Sequence, residues 1–441
     1  MTAEPSGIVV VGASLAGLRG AEALRRGGYD GPLTLVGAEP YRPYDRPPLS
    51  KHVLAGTLEA EGTRLPEQGP LQVRWRLGSA AVDLDRTART IGLADGSVLA
   101  YDKLLIATGA EARAWPAETG GGLAGIHTLR GRDDAAALRA ALVAGPRGVL
   151  IIGGGLIGCE TASCLRDLGL PVTLVDPNPT PLANALGCFV GGVIAECLRD
   201  AGVEFRPGTM VRAFEGDVSG RVARAQLADG RSIEADLVIA ALGATRATGW
   251  LRGAGLRADG GGVTCDTACR AVAADGTACQ DIYAAGDVAR WPIPLYGGRL
   301  VSVEHWGNAV EQAEHAARNM LAGPDDQRPY DHVPAFWSSQ FGINIKLVGL
   351  TTGADSVAVV QGSQAARRFL AVYGRAGRSI AAVSFDQARW LPAYAEAIRT
   401  GAPFPPITDA TDQPRIKTAD PGFPPPRAGA PTARTAEVAH V

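Results

Sequence analysis

The chain has 441 residues, 46% of them hydrophobic and 20% charged, with a net charge of −2. That length exceeds one ordinary domain and suits two or three, each with its own packed core. The near-neutral balance excludes a general attraction to nucleic acid or anionic lipid, and no apolar run reaches the 18 or more residues of a membrane span.

The N-terminal stretch MTAEPSGIVVVGAS has no basic region followed by a long apolar core, so no signal peptide is expected. A β-branched run, Ile8 to Val11, meets a glycine turn and then an amphipathic stretch with Leu15, Leu18 and Ala21 to Leu24 at helical spacing. The strand-like LTLV follows, and an acid, Glu39, comes just after it. Next comes PYDRPPLSK (43–51), a proline-stiffened loop carrying Arg46 and Lys51. The chain holds only four lysines, at 51, 103, 346 and 417, so one inside a motif stands out. YDKLLIATGA (101–110) reads as an apolar strand ending in Thr108 and Gly109.

The order strand, glycine turn, helix, strand, acid then repeats in VLIIGGGLIGCETASCLRDLGLPVTLVDPNP (149–179). Gly153, Gly155 and Gly158 form G-x-G-x-x-G. The first permits the tight turn, the second lets a pyrophosphate approach the backbone, and the third allows close helix–strand contact. The phosphates would sit on the helix N-terminus, among free N–H groups and the positive end of the dipole. Asp176, 23 residues after Gly153, is placed to bond ribose hydroxyls. The first copy reads G-A-S-L-A-G, with Gly12, Ala13, Ser14, Ala16 and Gly17, and Glu39 as its ribose acid. One such fingerprint is weak evidence; two, each in its strand–helix context and each followed by an acid, mark a double dinucleotide binder. Further on, DIYAAGDVA (281–289) is a strand ending in Gly286 and Asp287, VEHWGNA (303–309) opens a helix, and FWSSQFGINIKLVGL (336–350) is strand-rich.

On these fingerprints and stretches the chain resembles the FAD- and NAD(P)H-dependent pyridine nucleotide–disulfide oxidoreductase superfamily. The PYDRPPLSK loop and the FWSSQFGINIKLVGL stretch narrow the resemblance to the putidaredoxin- and rubredoxin-type ferredoxin reductases that serve cytochrome P450 and ring-oxygenase systems. The likeness runs from about residue 6 to residue 400. It implies an α/β fold with two Rossmann-like, glutathione-reductase-like dinucleotide-binding domains and a C-terminal α+β reductase domain. The FAD domain would span 6–114 and 247–328, the NAD domain 115–246 and the C-terminal domain 329–400. The Pro-rich tail 401–441 is expected to be disordered.

The resemblance also implies roles. FAD would meet the first fingerprint, Glu39, Arg46, Lys51, the Ala81 backbone, Thr108, Gly109, Arg130, Asp287, Glu304, His305, Trp306 and Trp337. NADH would meet Gly153, Gly155, Leu156, Ile157, Gly158, Glu160, Asp176 and Gly243. Lys51 and Glu160 are the expected catalytic pair beside the flavin. Asp176 disfavours a 2′-phosphate and so favours NADH over NADPH. Two features depart from the pattern. The segment 176–184, DPNPTPLAN, has no arginine where relatives often carry one, and Ser302 stands near a position that is basic in relatives. The implied reaction takes a hydride from NADH to FAD and then passes single electrons to a ferredoxin or rubredoxin that feeds a P450 or related oxygenase. A monomer is expected.

Rival readings are a disulfide reductase, an NADH oxidase and a non-catalytic NADH-sensing flavoprotein. The first two need cysteines in the FAD domain near the flavin, and the loop DRPPLSK has none. Seven cysteines and six histidines show no metal-ligand spacing, so no metal site is expected, and an odd cysteine count without a dense pattern fits a reducing cytoplasm. Cys159 and Cys164, five residues apart on one helix, would have Cα atoms roughly 8–9 Å apart. That lies beyond the roughly 7 Å reach of a disulfide.

Overall fold

The computed structural model describes residues 6–406. Three sheets set the architecture. The first has six strands in the order Arg270–Val272, Ala278–Ala284, Lys103–Ile106, Ile8–Val11, Leu33–Gly37 and Arg74–Leu77, parallel except for the edge strand Arg270–Val272. The second repeats the plan with five parallel strands: Glu204–Pro207, Val172–Asp176, Val149–Ile152, Leu237–Ala240 and Ile126–His127. The central strands of both read as unbroken apolar runs because helices or loops cover both faces of the sheet.

Each central strand feeds a helix through a glycine turn. Helix α1 (Leu15–Arg26) follows Ile8–Val11, and α2 (Leu156–Asp167) follows Val149–Ile152. Gly12 and Gly153 take φ values of +122° and +104°, and a Cβ there would fall 2.0 and 2.3 Å from the carbonyl oxygens of Ala107 and Ala241. Only glycine fits such a turn. Another long helix, α3 (Trp306–Leu321), lies along α1, with Ala313 close to Gly20.

The chain crosses from the first unit to the second and back through two short strands, Ala110–Ala112 and Ala244–Arg246, which pair antiparallel. The third sheet is antiparallel, ordered Ala335–Gln340, Ile343–Gly349, Arg378–Phe385, Arg368–Arg375 and Ser356–Ser363. Strand alternation sends Leu370, Val372 and Ala382 toward helix α4 (Leu391–Arg399). It sends Phe369, Ala371, Tyr373 and Val383 into a core shared with the second unit and with Tyr44, Leu49 and Leu54 of the first. The third sheet is thereby packed onto both nucleotide units.

The expected disordered tail begins too early at 401. Residues 401–406 are held on the third sheet: Ser379 N–H donates to Ala402 O and Phe404 N–H to Gly377 O, both at 2.9 Å, and the Phe404 ring covers Gly374. Local backbone pairing outweighs the proline-rich composition there. The rest of the tail lies outside the described residues. Among the described residues no helix is long and apolar enough to cross a membrane.

Candidate active site

A cleft of about 270 Å³, open at its mouth, lies where the three units meet. The first unit contributes Ser14 and Ala16 at the start of α1, Thr108, Gly109 and Asp287 at strand ends, and Arg46 and Lys51 from the proline-stiffened loop. The second contributes Arg130 and the first turn of α2 through Leu156, Ile157 and Glu160. Glu304, His305 and Trp306 close one side at the start of α3, and Trp337 of the third sheet closes another.

Lys51 and Glu160 form an ion pair, Nζ to Oε2 at 2.5 Å. The sequence separates them by 109 positions; the short 3-10 turn Pro47–Ser50 and the N-terminal half of α2 bring them together. Glu160 is 7% exposed, and two serines complete its shell: Ser50 Oγ donates to Oε2 at 2.7 Å and Ser338 Oγ to Oε1 at 2.6 Å. Cys164, one turn along α2 on the same face, donates its thiol to the Lys51 carbonyl at 3.5 Å. Burial pushes the Cys164 thiol up to about 11, and that of Cys159 is raised still further. Both cysteines are free, and Cys159 donates to Gly154 O. They are packing and anchoring groups.

Arg130 Nη2 meets Asp287 Oδ2 at 2.7 Å, placing a paired cation and anion on the wall. Glu39 accepts from Tyr44 OH at 2.5 Å and from Arg46 Nη2 at 2.6 Å, just behind the cleft lining. Trp306 Nε1 donates to Asp45 Oδ1 at 2.8 Å, and its ring meets Trp337 edge to face at 5.8 Å. Burial raises the Asp45 carboxyl above the usual range, against the pull of the Trp306 donor. Burial likewise drives the His305 imidazole down to about 4, and its Nδ1 has no partner.

Several expected residues stand back from the cleft. Gly12, Ala13, Gly17 and Ala81 are not on its wall, and Ala81 pairs with Leu93 in a separate small sheet. In the second unit, Gly153, Gly155, Gly158, Asp176 and Gly243 also lie outside the lining. Asp176 differs most from expectation. It is 5% exposed, and its carboxylate accepts from Gly154 N at 2.5 Å and from Asn178 N and Nδ2 at 2.7 and 2.8 Å. It braces the glycine turn against the next loop, a local demand that motif spacing does not reveal. Ser302 bonds inward as well, to the Asp287 carbonyl and to Arg246, which pairs with Glu304.

Both glycine turns fit a dinucleotide. Neither α1 nor α2 has a side-chain cap at its N-terminus, so backbone N–H groups there remain for an anion. A Cβ on Gly155 would meet nothing within 4 Å, which leaves room where a pyrophosphate would approach. Ser50, Ser338, Asp45 and Cys164 carry no role in the motif reading. Their signal is faint: polar residues inside three apolar-flanked motifs, with partners more than 100 positions away.

Two nucleotide units, a cleft between them and a third sheet over its mouth define a flavin- and pyridine-nucleotide-type oxidoreductase fold. The chain belongs to the pyridine nucleotide-disulphide oxidoreductase family, whose pattern it matches over residues 6–313, and residues 335–419 match the reductase C-terminal family. It is 39% identical over 354 residues to the biphenyl dioxygenase system ferredoxin–NAD(+) reductase component of Paraburkholderia xenovorans (strain LB400), covering 80% of this chain and 83% of that one. It is 36% identical to the anthranilate 1,2-dioxygenase system ferredoxin–NAD(+) reductase component of Burkholderia cepacia, covering 91% and 96%. Among solved structures, putidaredoxin reductase in its covalent complex with putidaredoxin superposes with a TM-score of 0.82 at 32% identity, covering 90% of this chain and 94% of that one.

Proposed function

We propose that this protein is an FAD-dependent NADH:ferredoxin reductase that delivers single electrons to a small iron–sulfur protein of an oxygenase system. The observation that carries the reading is the Lys51–Glu160 pair on the wall of a cleft that reaches the starts of both α1 and α2 and has no cysteine in its lining. A disulfide reductase or a cysteine-dependent oxidase needs a thiol in that cleft. The similarity to oxygenase-system reductases supports the same reading over most of the chain.

FAD, when bound, accepts electrons in a pair from NADH and releases them singly. The chain's own residues orient and tune that exchange. The N-termini of α1 and α2 would hold the two pyrophosphates, Glu39 and Arg46 the adenosine end of FAD, and Arg130 and Asp287 its middle. Lys51 would place a positive charge beside the ring, where negative charge builds on reduction, with Glu160 fixing its position. Trp306, tied to Asp45, and Trp337 would exclude water from the ring. Leu156, Ile157 and Gly243 would line the path of the nicotinamide nucleotide. A cytoplasmic location belongs to the same reading, in keeping with seven unpaired thiols.

Purified protein should be yellow and should bleach on adding NADH in the absence of air, then reduce a [2Fe–2S] ferredoxin. Colourless protein, or faster bleaching by NADPH than by NADH, would count against this assignment.

A further inference from the structure

We infer that Ser338 is a positioning residue for the reductase reaction, through which the third sheet holds Glu160 and so fixes the Lys51 ammonium at the cleft wall. This rests on the role given to the Lys51–Glu160 pair above. Ser338 lies on the strand Ala335–Gln340, where burial alternates. Trp337 and Ser339 face outward; Phe336, Ser338 and Gln340 face inward, toward α2. An inward position on such a strand is ordinarily apolar, because an unsatisfied buried hydroxyl is costly. Here two polar residues occupy the row, at 1% and 3% exposure.

Their hydrogen bonds have one consistent direction. A carboxylate only accepts, so the Ser338 hydroxyl donates to Glu160 Oε1 at 2.6 Å. Its lone pair is then free to accept Gln340 Nε2 at 3.2 Å. Glu160 Oε2 is taken by Ser50 and Lys51. Each oxygen of the carboxylate therefore has its own donor, and the Oε1 donor comes from the third sheet. Without Ser338, Oε1 is left buried without that partner, and the carboxylate must turn to recover one. Turning breaks the geometry at Oε2 and releases Lys51. Ser163, next to Cys164 on α2, adds a second tie to the same sheet by accepting Phe341 N–H at 2.8 Å. That bond keeps the sheet docked when the hydroxyl of Ser338 is removed, so the two effects separate.

The test uses flavin-loaded protein and two readouts. The first is the rate of amine-directed labelling of Lys51 relative to exposed Lys346, read by mass spectrometry. The second is the rate constant of bleaching at saturating NADH. Ser338→Ala should raise the Lys51:Lys346 labelling ratio about fivefold and slow bleaching about tenfold, a loss of one charge-assisted hydrogen bond. The half-saturating NADH concentration should stay within twofold. Ser338→Thr, which keeps the hydroxyl, should restore both readouts to within twofold of the parent. In a Glu160→Gln background Ser338→Ala should add nothing further. Ser338→Cys keeps the volume with a weak donor and should shift both readouts in the same direction, which covers the case in which the alanine variant does not fold. An unchanged labelling ratio in both variants, or a full additional effect in the Glu160→Gln background, would overturn the inference. If the parent protein is not bleached by NADH, the functional reading fails, while the labelling ratio still reports whether Ser338 holds the pair.

Discussion

At the scale of single residues, the cleft works by giving each charge a partner. Lys51→Met removes the cation and leaves Glu160 facing two serines. Bleaching by NADH should slow by roughly 10–100-fold, and the melting temperature should fall by the equivalent of about 1–2 kcal/mol, less than for a fully buried pair because Lys51 is partly exposed. Stopped-flow absorbance and thermal unfolding read the two effects. His305 carries a pH dependence. Its folded pKa of about 4 lies below the usual 6.5, so the unfolded chain binds the extra proton first as pH falls. Its contribution to stability is full above pH 6.5 and is lost between 6.5 and 4, on the order of 2–3 kcal/mol. Melting temperature plotted against pH should therefore fall less steeply over that window in His305→Gln than in the parent. Lys51, Glu160 and the tryptophans were legible in the sequence because motif position carries them. Ser50, Ser338, Asp45 and Cys164 were not, because each owes its role to a partner more than 100 positions away in the chain. Asp176 was legible as an acid at the right spacing, but its burial depends on Asn178 and Gly154, which spacing does not encode.

At the scale of elements, the glycines of these turns look alike in sequence, yet the first glycine of each turn and Gly155 in the middle of the second do different things. Gly12 faces the Ala107 carbonyl at a positive φ. Gly12→Ala should cost on the order of 3 kcal/mol or more, or prevent folding, as seen in expression and melting temperature. Gly155 faces open space at φ −76°. Gly155→Ala should cost less than about 1 kcal/mol but raise the half-saturating NADH concentration about tenfold, because its methyl group takes the space of a pyrophosphate. Equal damage from the two variants would contradict this division. The repeated unit itself was readable because a buried parallel strand, a turn and an amphipathic helix each leave a strong local pattern. The antiparallel third sheet left a weaker one, and the packing of residues 401–406 left none.

At the scale of the whole molecule, one apolar core runs through all three units, joining Leu49 and Leu54 of the first, Leu186 and Val190 of the second, and Phe369 and Val383 of the third. Cys159 and Cys164 take part in that packing, and all seven cysteines are free of cross-links. Denatured, unreduced protein should titrate seven free thiols, and five would reveal a bridge that the structure does not contain.

The antiparallel pair Ala110–Ala112 and Ala244–Arg246 has a consequence for how such a protein can change over time. It fastens the two ends of the second unit side by side, so that the unit enters and leaves the chain at one point, like a cassette with adjoining connectors. A piece carried in this way can be exchanged between relatives, or redesigned, with one backbone junction to repair, provided that the core it shares with the other two units is kept. Under the proposed function, coenzyme preference could then be inherited separately from the unit proposed to hold the flavin.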